Sequence, residues 1–125
     1  MSMFHIKTKL GESSIHGIGL FTDEDISEGD VIYVANLSID LILSDDKFLS
    51  LSNDEKETIQ NYGYFDKTLK KWHLSFDDVR FCNHALNANM TLRNGKLIAK
   101  KDISKGEELT QNYSEFEDLR DELKK

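Results

Sequence analysis

Met90-Thr91-Leu92-Arg93-Asn94-Gly95-Lys96-Leu97-Ile98-Ala99-Lys100 is the stretch that decides the fold class. Two β-rich runs flank an Asn-Gly pair. That pattern predicts a hairpin with a type I′ turn, because both central residues need φ > 0. Working outward, Phe4 to Leu10 alternates apolar and polar residues as a half-buried strand does. Gly11 to Gly19 reads as a loop, Leu20-Phe21-Thr22 as a second short strand, and Val31 to Ala35 as a β-rich run. Two helices are signposted. Ser52-Asn53-Asp54-Glu55 is a capping box, with Gly63 placed to end its helix. Ser114-Glu115-Phe116-Glu117 is a second box, opening a C-terminal helix at about 115–124 with Phe116, Leu119 and Leu123 on one face. The expected architecture is mainly β with short peripheral helices.

The chain has 125 residues, 16 basic and 23 acidic, for a net charge of −7. That length supports one domain, residues 1–125, with a core from about 4 to 116. At 38% hydrophobic and 31% charged it is composed like a globular chain, not a disordered one. No apolar run approaches the ~18 residues of a membrane span. Met1 to Leu10 carries charges and lacks the apolar stretch of a signal peptide. The expectation is therefore no membrane partner and an intracellular setting: cytoplasmic, or a host nucleus for a viral or non-classically secreted protein. The single cysteine, Cys82, excludes an internal disulfide framework and a multi-cysteine zinc site. The acidic balance argues against nucleic acid as a direct partner and favours a basic one. The sequence is compatible with a homodimer.

Proline is absent, so glycine supplies the punctuation. Asp25-Ile26-Ser27-Glu28-Gly29-Asp30 is echoed by Asp102-Ile103-Ser104-Lys105-Gly106-Glu107. In each copy the glycine suits a turn needing φ > 0. Two copies do not make a solenoid period; a turn solution used twice is the simpler reading, an ancestral duplication the other.

Three segments could carry chemistry. In His16-Gly17-Ile18-Gly19 the paired glycines allow close backbone approach to a ligand, although a plain turn explains them too. A dinucleotide fingerprint is excluded, since the third glycine and the following helix are missing. Arg80-Phe81-Cys82-Asn83-His84-Ala85-Leu86-Asn87-Ala88-Asn89 is a short apolar strand running into an Asn-rich loop. Cys82 and His84 share a strand face, which raises a nucleophile–base pair. His73, Asp77, Cys82 and His84 raise a metal site, but their spacing fits no zinc signature, and no metal is assigned. Gly106-Glu107-Glu108-Leu109-Thr110-Gln111-Asn112-Tyr113 is a turn and short strand ending in a tyrosine. The sequons at Asn36, Asn89 and Asn112 carry no weight without a secretory signal.

In order and content these segments resemble the SET-domain family of protein lysine methyltransferases, over nearly the whole chain and in a minimal bacterial or viral form. His16-Gly17-Ile18-Gly19-Leu20-Phe21 resembles the family's G-x-G. Arg80-Phe81-Cys82-Asn83-His84 with Asn89 resembles R-F-x-N-H-S-C-x-P-N, and Gly106 through Tyr113 resembles G-E-E-L-T-x-D-Y. Ala85, Leu86 and Ala88 stand where Ser, Cys and Pro are usual, and Asn112 replaces an aspartate. Gln111 takes a position often filled by Phe or Tyr.

The resemblance implies several small curved β-sheets with a threaded C-terminal segment, a β-clip-like fold. It implies S-adenosyl-L-methionine as cofactor, held by His16, Gly17, Ile18, Gly19, Asn83, His84, Tyr113 and Phe116. It implies Tyr113 as the catalytic residue, with Tyr62, Tyr64, Phe65 and Gln111 toward a lysine of a basic, histone-like protein. A lysine amine attacks only when neutral, and its ordinary pKa is near 10.4, so an apolar channel beside a sulfonium suits the task. An aromatic wall favours an alkylammonium. Core packing explains Tyr62, Tyr64, Phe65 and Phe116 equally well, and better explains Trp72. The four departures leave a second reading, a SET-like module that binds a partner or cofactor without catalysis.

Overall fold

The computed structural model describes residues 3–115. In chain order the elements are β1 (Thr8–Glu12), β2 (Ile18–Thr22), β3 (Val31–Val34), β4 (Leu41–Leu43), α1 (Asp45–Leu49), α2 (Asn53–Tyr62), β5 (Tyr64–Asp66), β6 (Lys71–Leu74), β7 (Asn83–His84), β8 (Met90–Arg93), β9 (Lys96–Ala99) and β10 (Thr110–Gln111). Two 3-10 turns, Asp78–Phe81 and Tyr113–Glu115, complete the set. The mainly β expectation holds. The C-terminal helix expected at about 115–124 falls, beyond Glu115, outside the described residues. The contacts divide the chain into two units, one built from the stretch up to Asn36 with Phe81–Glu115, the other from Leu37–Arg80.

The first unit holds three small sheets: β1 with β2, β3-β9-β8, and β7 with β10. The β8–β9 hairpin forms as its sequence predicts. Asn94 and Gly95 close it at φ 52° and 78°, the positive values a type I′ turn requires. Its inner positions Met90, Leu97 and Ala99 are buried. The N-terminal strand differs from expectation. Residues 3–5 lie along β3, with Val34 N–H donating to Met3 O at 2.9 Å and His5 N–H to Ile32 O at 2.8 Å. The chain then changes partner, and β1 runs on to Glu12 against β2 in register Leu10↔Leu20 and Gly11↔Gly19. Alternation extends from Phe4 to Leu10, but two different neighbours claim its two ends. The loop expected over Gly11 to Gly19 shrinks to residues 13–17, closed by Ser13 N–H to Gly17 O at 2.8 Å.

The two echoed turns meet each other. Ile26 and Ile103 exchange backbone hydrogen bonds of 2.8 and 2.9 Å, and both side chains are buried. Asp102 accepts from Glu28 N–H and Asp25 from Lys105 N–H, each at 2.8 Å. Gly29 and Gly106 take φ 89° and 94° as the turns demand. The same six-residue pattern thus supplies both halves of a locally two-fold contact, which a turn merely reused at two unrelated places would not require.

The second unit is an antiparallel sheet β4-β6-β5 with α1 and α2. Ser52 caps α2 with the reciprocal Glu55 box, and Glu55 is held below its ordinary range by the Ser52 backbone and hydroxyl donors. Gly63 ends the helix, but in an extended conformation (φ −114°) rather than a left-handed one. Its requirement is space: a Cβ there would stand 2.6 Å from His73 O and 2.9 Å from Ile59 O. Phe48, Ile59, Phe65 and Trp72 form the core, with Phe48 stacked on Trp72 at 4.1 Å and Phe65 edge-on to it at 5.5 Å. On the other face of β6, buried His73 bonds Asp40 through Nε2 at 2.7 Å and Tyr64 hydroxyl through Nδ1 at 3.0 Å. An ionised carboxylate only accepts, so Nε2 donates a proton to Asp40.

Candidate active site in the first unit

Asn83 lies on β7, a two-residue strand pairing parallel to β10 with Asn83 opposite Thr110 and His84 opposite Gln111. This pairing brings the Asn83-His84 motif to the Gly106–Tyr113 motif. Buried Asn89 fixes it from behind. Its Nδ2 donates to Glu108 O at 2.8 Å, its Oδ1 accepts from Thr110 N–H at 2.9 Å, and its own N–H reaches Thr110 Oγ1 at 3.1 Å. Asn89 therefore acts as a backbone splice, and an aspartate could not make the Nδ2 bond.

The Asn83 amide joins all three motifs. Its Nδ2 lies 3.0 Å from His16 O, 3.0 Å from Ser13 Oγ and 2.9 Å from Glu108 Oε2. A carbonyl and a carboxylate on one side fix the amide orientation, because only the NH2 end can face them. Nδ2 is thus committed inward, and Oδ1 is the acceptor left for a ligand. A donor such as an α-ammonium matches that atom.

The two loop glycines serve different ends. Gly17 has φ +46° and no atom within 4 Å of a Cβ position, so its backbone is strained for other residues and open. Gly19 is buried, and a Cβ there would collide with the Glu108 carboxylate, 2.9 Å from its Cδ, and stand 2.9 Å from Ser13 Cβ. The second glycine makes room for a side chain of this protein rather than for a ligand. Ile18 points to solvent, 51% exposed, and His16 is exposed as well.

Tyr113 lies beyond β10, within the 3-10 turn, not at a strand end. Asn112, rather than Ser114, caps this turn: its Oδ1 accepts from Ser114 N–H at 3.1 Å and Ser114 Oγ at 2.7 Å. An asparagine in place of the usual aspartate keeps that acceptor. The turn is tied to β8 by Glu115, which accepts from Thr91 Oγ1 at 2.7 Å and Leu92 N–H at 3.1 Å. The half-buried Tyr113 hydroxyl donates to Cys82 O at 2.6 Å, and Tyr113 N–H donates to His84 Nδ1 at 3.0 Å. The two rings lie 5.0 Å apart. The result is two adjacent oxygens, one phenolic and one carbonyl, next in sequence to the Asn83 amide.

A Cys82 nucleophile is ruled out by this geometry. Its thiol is buried and donates to Leu109 O at 3.1 Å, while His84 is exposed and spends Nδ1 on Tyr113. Burial pushes the thiol up to about 12, Glu108 adding to the rise and a hydrogen bond from Gln111 opposing it. Gln111 is itself buried beside this thiol. Of the other expected residues, Phe65 is spent in the core of the second unit, Tyr64 bonds His73, and Tyr62 is 47% exposed. Phe116 lies outside the described residues. Sequence reasoning missed Ser13 and Glu108 altogether. Ser13 had a local signature, a serine whose hydroxyl caps the N–H groups two and three residues on. Nothing local marked Glu108 as its partner.

The SET-domain family model matches residues 17–114. The H3 lysine-36-specific histone-lysine N-methyltransferase of Debaryomyces hansenii is 31% identical over 121 residues, covering 82% of this chain and 15% of that protein. A structure of Polycomb repressive complex 2 bound to S-adenosylmethionine superposes with TM-score 0.64 at 26% identity, covering 94% of this chain and 16% of its own. A candidate histone methyltransferase of Plasmodium falciparum shares the fold at TM-score 0.64 and 18% identity, with 88% of this chain and 95% of that one covered. The chain spans less than a fifth of the yeast and Polycomb relatives. Three motifs brought together by β7–β10 pairing, and a family model that spans them, place this chain in the SET-domain family.

Proposed function

We propose that this chain transfers a methyl group from S-adenosyl-L-methionine to the side-chain amine of a lysine in a protein. The observation that carries the reading is the Tyr113 hydroxyl at 2.6 Å from the Cys82 carbonyl, adjacent to an Asn83 amide whose Nδ2 is bonded to His16 O and Glu108. The residues present suit the cofactor. Asn83 Oδ1 and the open Gly17 backbone would hold its amino-acid end, with His84 toward the adenine. When bound, that molecule supplies an electrophilic methyl on a sulfonium centre. The protein then has to align a neutral amine in line with that methyl, which is positioning work rather than acid–base work. The Cys82 carbonyl fixes the Tyr113 hydroxyl as donor, so its lone pairs face away from that carbonyl and can orient an amine or a methyl C–H. The net charge of −7 favours a basic protein as substrate.

The test is Tyr113→Phe, assayed by radiolabelled-methyl transfer to core histones and a whole-cell lysate, beside calorimetric titration of the cofactor. Methyl transfer should fall by a factor of order 100 while cofactor affinity changes far less. A folded wild-type protein that shows no thermal shift with saturating cofactor would overturn the reading, as would an unchanged rate in the variant.

A further inference from the structure

Loop 13–17 and its exit at Ile18 have little packing of their own. Ile15 and Ile18 are 49% and 51% exposed, and Gly17 faces open space. Hydrogen bonds must therefore set the loop's conformation, and they converge on one side chain. Ser13 Oγ accepts from Ile15 N–H at 2.9 Å and His16 N–H at 3.3 Å, which folds the loop back on itself. The same hydroxyl donates its only proton to the Glu108 carboxylate, 2.8 Å from both oxygens and 95 positions away in the chain. Glu108 also accepts from Asn83 Nδ2, the group that holds His16 O. Its own backbone is fixed twice over, by bridging to Phe21 on β2 and by Asn89 Nδ2 on its carbonyl. Gly19 lacks a Cβ where one would strike this carboxylate.

We infer that Ser13 and Glu108 form a latch, a pair of positioning residues that holds the His16–Gly19 loop and the Asn83 amide in their binding-ready arrangement. Ser13 supplies the loop's internal caps, and Glu108 anchors both Ser13 and Asn83 to the rigid frame. A charged acceptor receiving two bonds is the strong form of this contact. When the latch is open the loop samples other conformations, and apparent affinity falls by the fraction of time the competent one is populated. The consequence for cofactor affinity rests on the methyltransferase reading; the consequence for loop order does not.

The experiment compares the full chain with Ser13→Ala, Glu108→Ala and the double variant, by calorimetric titration of S-adenosylmethionine and by hydrogen exchange at Ile15 and His16. Each single change should weaken binding about tenfold, and the double change no more than the worse single, because one latch is being opened twice. Glu108→Ala should speed exchange at Ile15 and His16 while the β8–β9 hairpin keeps its protection. Ser13→Thr keeps the hydroxyl and should restore slow exchange. Unchanged loop exchange in Glu108→Ala overturns the latch, and so do single effects that simply multiply. If wild type fails to bind, the methyltransferase reading falls and the exchange arm alone decides the latch. Should Glu108→Ala not fold, Glu108→Gln keeps the size, puts a donor where Ser13 or Asn83 donates, and is read by the same exchange.

Discussion

Replacing Asn83 by aspartate changes one NH2 to an oxygen and leaves size and shape alone. In the wild type that NH2 stands 2.9 Å from Glu108 Oε2. The substitution sets two carboxylates face to face. At that separation and an effective dielectric of ~20, two full charges repel by about 6 kcal/mol. Holding a proton on a carboxyl of ordinary pKa at pH 7 costs less, about 4 kcal/mol. The cheaper route wins, so the folded variant binds one proton that the unfolded chain releases. The unfolded state then holds fewer protons, and stability falls as pH rises, by about 1.4 kcal/mol per pH unit above roughly pH 4.5. Near pH 4 only the lost amide bonds should separate variant from wild type. Urea midpoints for both proteins at pH 5, 6, 7 and 8 measure the gap directly. A gap that stays constant across this range would refute the reasoning, since it would mean that the amide does not face the Glu108 carboxylate.

Four further outcomes follow from the structure. Gly19→Ala should displace the Glu108 carboxylate and lower stability by about 2 kcal/mol, well beyond Gly17→Ala, where only positive φ is strained; denaturant midpoints rank the two. Cys82 should resist maleimide at pH 8 until the protein unfolds, because burial pushes its thiol up to about 12. As folded Cys82 keeps a proton that the unfolded thiol loses from about pH 9 upward, stability should also decline between pH 9 and 12, a slope that Cys82→Ala reduces. Asp40→Ala strands the buried His73 Nε2–H, while the exposed Phe76 N–H turns to water, and should lower the unfolding free energy by about 2 kcal/mol in a thermal melt.

What the sequence disclosed and what it hid divide along chain separation. Asn94-Gly95 and the Ser52 box are local devices, each complete within a few residues, and both form as read. The positive φ of Gly29 and Gly106 was legible for the same reason, yet nothing in either copy of the echo announced that they would bind each other. The break in the N-terminal strand was hidden because alternation reports a face and not the neighbour. Ser13 with Glu108, and Tyr113 with Cys82, join residues far apart in the chain, so no window of sequence holds both members. Resemblance supplied Asn83, His84 and Tyr113 as a set. It did not show that the Asn83 amide faces inward or that Gly19 yields space to a carboxylate.

The mutual contact of the echoed turns has a consequence for how the chain is made. Glu28 meets Asp102 across 74 positions, with the whole of Leu37–Arg80 lying between. On a ribosome the segment Leu37–Arg80 emerges complete and can begin to collapse while the earlier strands still await their partners. The first unit closes only when its second half has been synthesised, which makes that closure the slow, non-local step of folding. Loop-closure entropy grows only logarithmically, so doubling the intervening length would cost that step about 0.6 kcal/mol. The stretch between Asn36 and Phe81 is accordingly the place where the chain can gain or lose whole elements while the Asn83–Tyr113 frame keeps its own bonds.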